Sequence, residues 1–119
     1  MTYDDYQIER IRKLLNDKKI QFEEKKMMGR LCIMVDDKML CGAMIDKETG
    51  HDLLMARIGH DYYEEALKIN GARPMNFTGR PIKGFVFVDP IGFDNEDDLQ
   101  FWLERCLAFN PFAKSSKKK

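Results

Sequence analysis

Apolar residues recur at Ile8, Ile11, Leu14 and Leu15, a spacing of three and four that gathers them on one side of a helix over residues 4–17. Thr2 and Asp5 stand in capping-box spacing at its start. Beyond this helix the period changes. Residues 22–27 (FEEKKM), 31–35 (LCIMV) and 38–45 read as strands, and the last two form a β-hairpin through Asp36 and Asp37. After a turn at 47–50, a fourth strand over 52–58 ends at Gly59. A second helix follows, with Asp61, Glu64 and Glu65 in its first turn, and stops at Gly71. Gly71, Pro74, Gly79 and Pro81 punctuate a surface loop that leads to a fifth strand over 82–89, centred on Phe85-Val86-Phe87-Val88. Asp94 then caps a last helix with an apolar stripe of Leu99, Trp102, Leu103, Cys106 and Leu107, and Pro111 ends it.

Four of these five strands follow one another through short links. The pattern therefore predicts an α+β fold of two layers, a largely antiparallel five-stranded sheet with three helices against one face. A two-residue turn at Asp36-Asp37 sets Cys32 opposite Cys41 and Met34 opposite Met39, with the two cysteines as a close, non-hydrogen-bonded pair. The expectation is two neighbouring thiols, buried and reduced. Of the eight methionines, Met27, Met28, Met34, Met39, Met44 and Met55 fall on or beside strands, where the flexible thioether fills irregular gaps or supplies an adaptable binding surface.

Composition narrows the functional classes. The 119 residues are expected to make one domain over 1–112, with a lysine-rich tail over 113–119 expected to be disordered. No apolar run approaches the roughly 20 residues that span a bilayer, and residues 1–10 are too polar for a secretory signal, so the expected setting is the cytoplasm, with no membrane role. Net charge is zero, but Lys114, Lys117, Lys118 and Lys119 supply four of the 20 basic residues, leaving 16 against 20 acidic ones in the body. An acidic body disfavours a broad nucleic-acid-binding face, whose affinity comes from clustered Lys and Arg on phosphates, so any link to nucleic acid is expected to be indirect.

Candidate chemistry is sparse. His51 and His60 flank one strand with no Cys or acidic residue at a ligand spacing, so no metal site is expected. The acidic run Asp94, Glu96, Asp97 and Asp98 lies at a helix start, where carboxylates cap free amides. No glycine-rich loop connects a strand to a helix in the manner of a nucleotide cradle, and no cofactor is expected. The basic set Arg57, Arg73, Arg80 and Lys83 has two readings: a shared anion or acidic-peptide site, or arginines that tie down the loop by bonding its carbonyls and nearby carboxylates.

Three segments carry a resemblance: Lys25-Lys26-Met27-Met28-Gly29 before the hairpin, Leu54-Met55-Ala56-Arg57-Ile58-Gly59 before the second helix, and Arg73-Pro74-Met75-Asn76-Phe77-Thr78-Gly79-Arg80-Pro81 before the fifth strand. With the order of elements, they resemble the N-terminal domain of the TfoX/Sxy competence-regulator family. Met28 stands where the family usually has an aromatic residue, and Arg30 where it has a second glycine. The resemblance implies a cytoplasmic bacterial protein related to regulators that help the cyclic-AMP receptor protein at competence promoters, here as a stand-alone N-terminal domain. It implies no catalytic site. The expected function is a non-catalytic interaction or regulatory module that contacts a protein partner through Met27, Met28, Gly29, Arg30, Arg57, Arg73, Arg80 and Lys83. The alternatives are a small uncharacterised enzyme and a nucleic-acid-binding accessory protein.

Overall fold

The computed structural model describes residues 3–27, 29–76, 79 and 81–113. Its elements in chain order are α1 (Asp5–Asp17), β1 (Glu23–Met27), β2 (Arg30–Val35), β3 (Lys38–Ile45), β4 (Asp52–Arg57), α2 (His60–Leu67), β5 (Ala72–Pro74), β6 (Phe85–Val88) and α3 (Glu96–Phe109). The six strands form one sheet in the order β1-β2-β3-β4-β6-β5, and every neighbouring pair is antiparallel. This is an α+β fold with three helices, but with one strand more than the pattern predicts. The additional strand, β5, falls where Gly71 and Pro74 predict a loop. With three residues including Pro74 it is too short to show a period, and it sits at a sheet edge, the one place where a residue without an amide hydrogen fits a ladder.

Helix starts differ in their caps. Asp4 caps α1 by accepting from the Tyr6 amide at 3.0 Å, while the expected box member Thr2 lies outside the described residues. At α3 the cap is Asn95 rather than Asp94; its side chain accepts from the Asp97 amide at 2.8 Å, and Glu96, Asp97 and Asp98 occupy the first turn. Helix α2 closes at Leu67, before Gly71, and only Asp61 is acidic in its first turn. Residues 114–119 of the expected tail lie outside the described residues.

The hairpin turn forms as its sequence demands. Asp36 and Asp37 take φ of 55° and 61°, the paired left-handed conformation that matches strand twist, and Val35 pairs with Lys38 and Met34 with Met39. One residue farther on the register changes. Ile33 pairs with Cys41 and Cys32 with Gly42, because β3 carries one extra residue, Leu40, across from the step between Ile33 and Met34. The bulge overturns the expected Cys32–Cys41 pairing. Leu40 and Cys41 now both join the helix-side core, whereas Cys32 packs with Met34 and Met55 on the other side of the sheet. All three cysteines are buried and free.

The main core lies between sheet and helices. Ile33, Val35, Leu54, Ala56, Val86 and Val88 from alternate strand positions meet Ile11 and Leu15 of α1, Tyr63 and Ala66 of α2, and Leu99, Trp102 and Leu103 of α3. Two polar anchors fix the helices across it. Trp102 donates its indole N–H to the Gly92 carbonyl at 3.0 Å. Arg10, buried on α1, donates to the Phe93 carbonyl at 2.8 Å and to Glu96, holding α1 against the entry to α3.

Candidate functional site

The opposite sheet face has no helix packed on it among the described residues. Its cluster consists of Cys32, Met34, Leu53, Met55, Met75 and Phe87, with half-buried Met39, Met44 and Phe85 against them. Register explains the grouping: one row running across the sheet joins Lys25, Cys32, Gly42, Met55, Phe87 and Arg73. Gly42 is needed in this row. A Cβ there would come within 2.6 Å of Met55 Cε and 2.7 Å of the Leu31 carbonyl oxygen, so the missing side chain makes room for the methionine beside it.

Strand alternation aims Met27, Arg30, Arg57 and Arg73 toward this same face. They surround the thioethers without forming one cationic cluster. Met27, 38% exposed, and Arg30 close the β1–β2 hairpin at one edge, with Gly29 in the turn at φ of 84°. Burial pushes the Cys32 thiol pKa up, against the opposing charge of nearby Arg30. Arg73 lies at the other edge. Its guanidinium sits 5.3 Å from the Phe87 ring centre and donates to Asp89 at 3.1 Å and to Asp46 at 3.2 Å, so its charge is used locally. In this way it ties the β3–β4 turn and the end of β6 to the sheet edge.

Arg57 is at the far end of β4, its guanidinium 5.2 Å from the Phe85 ring centre and 5.8 Å from that of Phe109. Lys83 is exposed just before β6. Met28 and Arg80 lie outside the described residues.

Burial pushes the Cys106 thiol up to about 12 and that of Cys41 well above its usual value, which leaves both as protonated, weakly nucleophilic core groups. His51 and His60 are exposed at opposite ends of β4. Among the described residues, no group of three or more His, Cys, Asp or Glu is placed to hold a metal ion, and no helix is long and apolar enough to cross a membrane.

Comparison with protein families matches the TfoX N-terminal domain over residues 15–110, most of the chain. The chain belongs to the TfoX N-terminal domain family. Comparisons with curated proteins and with solved structures give no match. The matched span of this TfoX N-terminal domain runs from the end of α1 to the end of α3 and contains the whole sheet, and with it the methionine-rich face.

Two sets of residues lie outside any motif of the sequence. Arg10 interrupts the buried side of α1, and an arginine at the edge of an apolar stripe is the signal that marks such an anchor. Tyr62, Arg105, Phe109 and Phe112 line a cavity with Arg57, yet they come from distant segments and carry no local motif.

Proposed function

We propose that this protein is a non-catalytic regulatory module of the competence-regulator type, which acts by binding a protein partner through the helix-free face of its sheet and the loops at its edges. The observation that supports this reading is the composition of that face: a methionine and phenylalanine cluster, ringed by Arg30, Arg57 and Arg73, with no helix packed over it among the described residues. Thioethers repack readily against different partners, and arginine and aromatic residues are enriched where partners meet. Loops held by a rigid sheet commonly carry recognition, which adds the segments around 27–30 and 73–83.

Capture of binding proteins from the cytoplasm of the source cell tests the surface. Met27 and Lys83 are both exposed, so the double variant Met27→Glu, Lys83→Glu should change stability by no more than about 0.5 kcal/mol per site while losing partners recovered with the wild type. Equal recovery by the folded double variant would remove these loops from the interface. Turnover of a substrate by the purified protein, abolished by one side-chain replacement, would replace the binding reading with an enzymatic one.

A further inference from the structure

Where β4 leaves the sheet through Ile58 and Gly59 into α2, the last turns of α3 lie alongside and enclose an open-mouthed cavity of about 660 Å³. That volume falls within the roughly 300–1,000 Å³ of small-molecule sites. The corner depends on Gly59. It takes φ of 88°, and a Cβ there would come within 2.4 Å of the Phe109 ring, so glycine both makes the turn and lets the ring close on it.

The walls combine rings with cations. Arg57 lies over the Phe85 and Phe109 rings at 5.2 and 5.8 Å, and Arg105 lies 3.5 Å from the centre of the Tyr62 ring. Phe112 is 79% exposed at the rim, an apolar ring kept in solvent. Arg10, Arg12 and Arg73 all pair with carboxylates, but among the described residues neither Arg57 nor Arg105 has such a partner. Stacking fixes a guanidinium plane while leaving its edge N–H groups able to grip an anion with two parallel bonds. Partial burial of Arg57 lowers its pKa. Asp61 also lines the cavity, so two guanidinium charges face one carboxylate, and His60 sits beside it. The local field remains positive.

We propose that this cavity binds a small aromatic anion, a carboxylate or phosphate monoester carried on a planar ring, with the anionic group on Arg57 and Arg105 and the ring against Tyr62, Phe109 and Phe112. Rings alone would suit a neutral apolar ligand, and cations alone a bare anion. Their combination in one concave site selects a molecule with both features. The cavity meets the methionine face only at Arg57, so Arg105, which lies off that face on α3, tests this assignment by itself.

The test is titration of the ¹⁵N-labelled full chain with phenyl phosphate, benzoate, inorganic phosphate, phenol and a short acidic peptide. Phenyl phosphate or benzoate should give saturable shifts confined to amides of residues 58–62 and 105–112, and the tighter of the two assigns the anionic group. Arg57→Gln and Arg105→Gln should each weaken binding about tenfold, the loss of one charge-assisted contact. Should Arg57→Gln lose its folded spectrum, Arg105→Gln, on the outer side of α3, carries the comparison. The proposal is overturned if neither aromatic anion gives a saturable shift, or if both arginine variants, still folded, bind like the wild type. It is equally overturned if inorganic phosphate or phenol matches the aromatic anions, since ring or charge would then be unread. Binding of the peptide alone would make the cavity a protein-docking groove instead.

Discussion

The two faces of this sheet are made of different materials. Toward the helices stand Ile33, Val35, Leu54, Ala56, Val86 and Val88, against Leu99, Trp102 and Leu103; away from them stand Cys32, Met34, Met55, Phe85 and Phe87. Branched aliphatic side chains have few rotamers and pack closely when a rigid second layer supplies matching holes, as three helices do here. The other face has no such layer among the described residues and is built of longer, unbranched and aromatic side chains. Thioethers suit that task because they bend to fill whatever gap their neighbours leave, and Arg73 adds a flat cation over Phe87. One face is therefore specified by interlocking shapes, and the other by adaptable volume. On the proposed function, stability rests chiefly on the first and recognition on the second.

The largest expected effect separates the faces directly. Leu54→Ala should destabilise by about 3–4 kcal/mol, because it empties a fully enclosed site beneath the helices, whereas Met55→Leu, one residue away on the other face, should cost less than about 1.5 kcal/mol. Denaturant midpoints of the two variants measure this. A Met55→Leu loss equal to that of Leu54→Ala would mean that the methionine face is packed as exactingly as the core.

A smaller effect sharpens the account of that face. Gly42→Ala should cost about 1–3 kcal/mol, since its Cβ meets both Met55 Cε and the Leu31 carbonyl. The methionine can move aside but the backbone oxygen cannot. In a Met55→Ala background the glycine substitution should therefore still destabilise, by less than in the wild type. Complete rescue in a double-mutant cycle would show that thioether crowding alone reserves this position.

The smallest effect concerns the β1 edge, where neither face is buried. Glu24 accepts from Arg12 of α1 at 2.5 and 2.7 Å, and that hydrogen bonding holds its carboxyl below the usual range. A carboxyl with a lowered folded-state pKa stabilises above its unfolded-state pKa, and the contribution disappears as pH falls through the folded-state value. Stability measured on acidification should accordingly fall less steeply in Glu24→Gln than in the wild type. Superimposable pH profiles would show that this solvent-screened pair contributes nothing measurable.

Much of this organisation is readable along the chain because its causes are local. The three-and-four spacing of Ile8, Ile11, Leu14 and Leu15 makes one side of a helix apolar wherever it packs, and paired aspartates at 36 and 37 accept the left-handed turn. Alternation in LCIMV and FVFV defines two faces for each strand, and the family match over residues 15–110 spans all six strands. What the chain does not display is which residues meet across long separations. The extra residue at Leu40 leaves the turn unchanged yet moves Cys41 to the helix side, because a bulge answers to packing on both faces of the finished sheet. Likewise Arg73 and Arg57 look alike in sequence. Tertiary structure alone sets one against Asp46 and Asp89 and leaves the other between two rings, since a guanidinium's electrostatic role depends on charges brought near it by folding and not on its neighbours in the chain.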